Sequence, residues 1–207
     1  MQLHHNDVTL HHGAYFDWSD IEANSHMKVT DVANGLASTA RYAGQLDGVY
    51  NVAQHSVLVA MLLEELHPGY PQMHYAGLMH DATESLMGDV TSPLKKMLPD
   101  YQAMEARLHA AMANWFGFHP TKYSAQIRYA DLLALAIEKN VLLYNRDRWA
   151  CLEQAEISPS TLLELKHPLA YYLSKKWDFA EARSMFVAQY HKYYFAGAIS
   201  VTQPSTI

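Results

Sequence analysis

Residues 51–66, NVAQHSVLVAMLLEEL, decide how the chain must be built. Asn51 followed three residues later by Gln54 has the form of a capping box, the signature of a helix N-terminus. The fifteen residues after Asn51 then run without a breaker to the stop at HPGYP (67–71). Its first turns carry Ala53, Val57 and Leu58. One residue is out of place there. His55 stands one turn in, between Ala53 and Val57, where a lone histidine would ordinarily be a core residue bonded to a carbonyl.

Working outward, the same helical period recurs over Asp31–Thr39, Met73–Leu86 (ended by Gly88), Tyr101–Phe116 and Ser124 to about Arg146. In the last of these Ile127, Ala134, Ile137, Val141 and Tyr144 form the apolar positions. TSPLKKMLP is a turn with a short helical piece, and an aromatic-rich helical region follows Pro168. Period-two runs and hairpin turns are nearly absent, since Asn34-Gly35 lies inside a helical pattern. The expectation is an all-α bundle of six or seven helices. Residues 1–28 read as irregular, with Tyr15, Phe16 and Trp18 tucked onto the body. A length of 207 residues, half of them hydrophobic, fits one domain over 1–207.

Composition narrows the function classes. A formal charge of -6 and no long basic run disfavour nucleic acid as a partner, while a small anionic substrate stays possible. The single cysteine, Cys151, points to a reducing compartment. No secretory signal or bilayer-length apolar run is evident, so a cytoplasmic protein without membrane contact is expected, in a host cytoplasm if phage-encoded.

His80 and Asp81 follow His55 by 25 and 26 residues, and Asp131 stands on the long helix beside Ile127, Ala134 and Leu135. Alone, Asp131 reads as an ion-pair partner for Arg128 or Arg107. Together, two imidazoles and two carboxylates from three helices suit one divalent transition metal, cobalt, manganese, zinc, nickel or iron. Four protein ligands leave positions open for water and a phosphate oxygen, as a catalytic site requires.

The order His55, His80-Asp81, Asp131 resembles the H…HD…D signature of the HD-domain phosphohydrolase superfamily. RYAGQ (41–45), YNVAQHSVLVA (50–60), LMHDATESLMGDVTSPLK (78–95) and YADLLALAIE (129–138) are similar to bacterial 5′-deoxynucleotidases and to phage HD phosphohydrolases, including phage dATP triphosphohydrolases. The motif-bearing core covers about residues 28–145, with aromatic-rich C-terminal helices over 160–197. The resemblance implies that His55, His80, Asp81 and Asp131 hold the metal and that Glu84 handles the proton of the attacking water or the leaving oxygen. It further implies that Arg41 and Lys95 grip phosphate and Asp89 reads the sugar. Tyr42 then stands beside the nucleoside, where the nucleotidases carry Trp, and Ser92 and Pro93 line the same wall. Glu84 lies three and four residues after the pair, one helical turn on.

The implied activity is removal of phosphate from 2′-deoxynucleotides by a metal-generated hydroxide, 5′-deoxynucleotidase-like, with dATP or dNTP triphosphohydrolase as the alternative. The stretch before Arg41 is longer than in the short nucleotidases and more phage-like. A non-catalytic nucleotide sensor is more distant, because it would need a broken metal set. Gly69-Tyr70-Pro71 precedes the HD pair, unlike the GYP of cyclic-di-GMP phosphodiesterases, and Ser85 replaces the second acid of the HDxxED in (p)ppGpp hydrolases. Cys151 lies outside every motif, His67, His74, His109, His119, His167 and His191 read as structural or surface residues, and the N-terminal histidines read as incidental. Phe179, Ala182, Phe186 and Tyr190 make a helical stripe, and with Tyr193, Tyr194 and Phe195 nearby a homo-oligomer, a dimer or hexamer, is expected.

Overall fold

A computed structural model describes residues 6–144, 147, 149–154, 172 and 175–202. Among the described residues the fold is all-α apart from one hairpin, β1 (Asp7–Thr9) against β2 (Tyr15–Asp17), antiparallel with Val8 opposite Phe16. The turn between them needs Gly13 at φ +90°, in the left-handed region. The N-terminal stretch is therefore more ordered than its composition suggested. Phe16 is fully buried between Trp18 and Trp115, with ring centroids 4.9 and 6.5 Å away.

The helices are α1 (Val29–Ser38), α2 (Val52–Leu66), α3 (Pro71–Leu78), α4 (Glu84–Met87), α5 (Ser92–Lys95), α6 (Pro99–Phe116), α7 (Ser124–Leu142), α8 (Ala150–Gln154) and α9 (Phe179–Thr202). The central helix is α2, buried from Val52 through Ala60 and again at Leu62 and Leu63. It packs against α1, α3, α7 and α9. Asn51 caps it by accepting from the Gln54 amide at 2.9 Å. The other half of the expected box is absent. The Gln54 side chain instead donates to Lys175 O at 3.0 Å and accepts from Trp177 N at 3.0 Å, so it ties down the strap leading to α9.

The start of α1 is organised by Asp31, whose carboxylate accepts from Lys28 N at 2.8 Å, His12 N at 3.0 Å and His12 Nδ1 at 2.7 Å. His12 is thus a structural anchor between hairpin and bundle, not an incidental residue. Gly35 lets α1 approach α4, since a Cβ there would lie 2.2 Å from the Ser85 carbonyl oxygen.

Two boundaries differ from the sequence reading. Residues 73–86 are not one helix: α3 ends at Leu78 and α4 begins at Glu84. Between them Ala82 N bonds Met79 O at 3.1 Å and Glu84 N bonds Asp81 O at 3.0 Å, tighter three-residue turns. His80 Nδ1 bonds Gly77 O at 2.8 Å, so a side chain takes a carbonyl at the end of α3. The helix Ser124 to Arg146 stops at Leu142, because Leu143 turns extended (φ -102°, ψ 142°) and Tyr144 donates to Asp47 Oδ2 at 2.7 Å. Arg146 lies outside the described residues. Ile127, Ala134 and Ile137 are core as expected, but Val141 and Tyr144 are exposed. In the aromatic C-terminal stripe Ala182 and Phe186 are buried, whereas Phe179 at the start of α9 is exposed. Residues 160–171, 173 and 174 of the expected C-terminal helices lie outside the described residues.

Candidate metal centre

His55 comes from the fully buried first turns of α2, His80 and Asp81 from the turn after α3, and Asp131 from α7. Ligand atoms of His55, His80 and Asp131 lie within 4.8 Å of one another, a group that could hold a metal ion. His55 Nε2 is 3.2 Å from Asp131 Oδ1, and His80 Nε2 is 3.9 Å from the same oxygen. Asp81 Oδ2 stands 3.5 Å from His55 Nε2 and 3.1 Å from His80 Nε2. The side chain of Asp131 is 40% exposed, which opens the group to solvent on one side.

The donor chemistry fits a cation. Both Nε2 atoms are buried without a hydrogen-bond partner, a costly arrangement unless something accepts their lone pairs. Each opposite ring nitrogen is already engaged, His80 Nδ1 by Gly77 O and His55 Nδ1 by Glu138 Oε1 at 2.6 Å. That engagement fixes the rings and aims Nε2 inward. Electrostatics agree. Burial and Arg41 push the His55 pKa down, but Glu138 and Asp131 outweigh them and raise it to about 10. The cluster of carboxylates therefore calls for a positive charge at Nε2, which a metal ion satisfies as well as a proton. Asp81 and Asp131 are held below the ordinary carboxylate range: burial opposes ionisation, and the two imidazoles overcome it.

Arg41 reaches the same place by a different route. Its backbone N–H bonds Tyr50 O at 2.8 Å, and Ala40 bridges Asn51, so the loop lies along the start of α2. Arg41 Nη1 is 3.7 Å from Asp81 Oδ2 and Nε is 3.5 Å from Glu138 Oε2. The next two residues, Tyr42 and Ala43, are in the left-handed region (φ +58° and +51°), which non-glycine residues rarely adopt. The Tyr42 hydroxyl is turned to Glu138 Oε2, donating at 2.7 Å.

Glu84 opens α4, buried, with Oε2 lacking any partner. Burial, then Asp81 and Asp89, push its carboxyl up to about 9 against the pull of Arg41 and Lys95. Asp89 is likewise raised by burial, with Arg41 opposing. Lys95 is held by Glu105, 2.7 Å from Nζ. Ser92 and Pro93 are exposed at the start of α5. Arg107 pairs with Glu22 at 2.5 Å, far from the role of partner to Asp131.

The sequence reading assigned no role to Glu138, Tyr50 or His109. Glu138 is completely buried beneath the group, and Tyr50 donates to its Oε1 at 2.8 Å. A signal existed: Glu138 follows Asp131 by seven residues, two turns on the same helix face, amid LLALAIE. His109 on α6 lies near His80, and burial, then His80, lowers its pKa.

No protein-family model matches the chain. It is 36% identical to the uncharacterized protein YfdR of Escherichia coli K12 over 142 residues, 68% of this chain and 75% of YfdR. It is 35% identical over 119 residues, 54% of this chain, to an uncharacterized protein of Rhodobacter capsulatus, of which it spans 61%. The aligned length and identity place the chain in the family of YfdR.

Proposed function

We propose that the chain is a metal-dependent phosphohydrolase of the HD-domain superfamily that removes phosphate from 2′-deoxynucleotides, in the manner of a 5′-deoxynucleotidase. The observation that carries this reading is the pair of buried, unpartnered Nε2 atoms of His55 and His80 facing the carboxylates of Asp81 and Asp131. Those four residues would hold one divalent transition metal. A bound cation supplies a lowered pKa for its water and positive charge on a phosphoryl oxygen.

The chain's own residues account for the rest. Arg41 offers a fork suited to two phosphate oxygens, and it is close enough to Asp81 for a cation at Asp81 to loosen that pairing and free it for substrate. Lys95 shares its charge with Glu105 and adds a second, weaker attraction on the phosphate side. Glu84 is the proton carrier. Its buried Oε2 has a strong tendency to hold a proton, and added positive charge brings it into the range where it takes one from water and returns it to the leaving oxygen. Asp89 reads the sugar hydroxyl, and Tyr42, Ser92 and Pro93 border the nucleoside.

The second reading, a dATP triphosphohydrolase, draws on the ordered hairpin and turn that precede Arg41, which give the chain more structure on that side than a minimal nucleotidase needs. We also propose a homo-oligomer, supported by Tyr194 and Phe195 exposed on α9.

An ion-exchange product assay tests the reading, with dAMP, dATP and the other deoxynucleotides, each with cobalt, manganese or zinc. Deoxyadenosine from dAMP with dATP untouched supports the nucleotidase. Deoxyadenosine or dAMP from dATP alone supports the triphosphohydrolase. No turnover of any substrate with any metal refutes both.

A further inference from the structure

We propose that Glu138 is a positioning residue which fastens the metal ligand His55 and the anion grip Arg41 to one buried carboxylate, so that metal affinity and substrate affinity depend on it together. The inference rests on the metal-centre reading and goes beyond it, because Glu138 is none of the four proposed ligands.

Its burial is the first argument. Glu138 has no solvent exposure at all, and an ionised carboxylate in that position is costly unless every lone pair is used. Here they are. Oε1 accepts from His55 Nδ1 at 2.6 Å and from the Tyr50 hydroxyl at 2.8 Å. Oε2 accepts from the Tyr42 hydroxyl at 2.7 Å and faces Arg41 Nε at 3.5 Å. A carboxylate inaccessible to water and held by three protein donors and a guanidinium is in no position to do chemistry itself.

Its effect on His55 follows from donor inventory. An ionised carboxylate only accepts, so Nδ1 must carry the proton, and in the neutral ring Nε2 is then a bare lone pair aimed at Asp81 and Asp131. Without Glu138 the ring could swap tautomer or rotate. Its effect on Arg41 is equally local. The residues after Arg41 are held in a left-handed turn, a conformation that persists only where the surroundings enforce it. The bond from Tyr42 to Oε2 and the charge beside Arg41 Nε are that enforcement. Sharing one acid means that any shift of Glu138 moves both groups.

The test uses the full chain in three forms: wild type, Glu138→Gln and Tyr50→Phe. Manganese affinity is measured by calorimetry without substrate, alongside thermal unfolding and the separate values of KM and kcat. Glu138→Gln should weaken manganese binding about 10–100-fold, as loss of a ligand's outer partner does, and should raise KM. Tyr50→Phe removes a donor to the same carboxylate but leaves the His55 bond, so it should lower the melting temperature with manganese affinity unchanged. Equal weakening by both variants, or wild-type affinity in Glu138→Gln, overturns the proposal. Nitrogen-15 NMR of wild-type His55 serves independently of how the variants fold: a proton on Nδ1, and zinc bound through Nε2, are required. Zinc on Nδ1, or an Nδ1 without a proton, overturns the proposal. A wild type that binds no metal would instead sink the metal-centre reading, while a downfield-shifted Nδ1 proton, the mark of a short bond to Glu138, would still decide whether Glu138 fastens His55.

Discussion

Substitution of Gly35 by alanine is a sharp test of how Glu84, the proposed proton carrier, is placed. An added Cβ would lie 2.2 Å from Ser85 O and 2.7 Å from Ser85 Cα and Cβ. A carbon–oxygen contact settles at about 3.3 Å or more, so α1 and α4 must separate by about 1 Å. The obstruction is backbone, which cannot rotate away as a side-chain tip can. Overpacking of this kind costs about 1–3 kcal/mol, against a gain of about 1 kcal/mol for alanine over glycine within a helix. The net loss of up to about 2 kcal/mol corresponds to a fall in melting temperature of up to about 8 °C for a chain of this size. Glu84 immediately precedes Ser85 and moves with it. On the proposed mechanism a displacement of about 1 Å costs up to about 100-fold in turnover, while His55 and Asp131 lie on other helices and manganese binding should be retained. Differential scanning calorimetry, manganese titration and kcat on dAMP would be measured on the same preparation. A Gly35→Ala variant that melts above wild type, with unchanged kcat, would refute the close approach of α1 to α4 and the dependence of Glu84 on it.

Three further outcomes are expected. Asp131→Ala should lose metal and activity together, whereas Glu84→Ala should bind manganese like wild type and lose turnover; full activity in Glu84→Ala would remove it from the mechanism. Chelation should destabilise the protein, since a ligand present at 100 times its Kd adds about 2.7 kcal/mol, and a melting temperature indifferent to EDTA would count against a resident metal. Asp31 should tune acid stability. Burial opposes its ionisation, but His12 and the Lys28 and His12 amides outweigh that and lower its pKa in the fold. Its contribution is then present above the unfolded value of about 3.9 and is lost as pH falls through the lower native value. The stability gap between wild type and Asp31→Asn in urea titrations should be open at pH 7 and close in that acid range; a gap independent of pH would mean that the charge is irrelevant.

What could be read in the sequence and what could not divides along the range of the interactions. The helices α2, α6 and α7 were legible because each carries its own period, and the His-Asp cluster because two imidazoles and two acids amid apolar residues have few other uses. The break between α3 and α4 was not, since MHDATES is locally helical in composition; it is broken by three-residue turns and by His80 Nδ1 taking the Gly77 carbonyl. Within that break Asp81 Oδ2 lies 3.1 Å from His80 Nε2. Glu138 was hidden for a related reason. Its partners come from residues 41, 42, 50 and 55, far away in sequence, so its one local mark is the spacing from Asp131. Its seven-residue spacing from Asp131 becomes informative only once Asp131 is known to face the interior. The site was legible as a set of candidate ligands, and the groups that would orient them became visible only when the chain was folded.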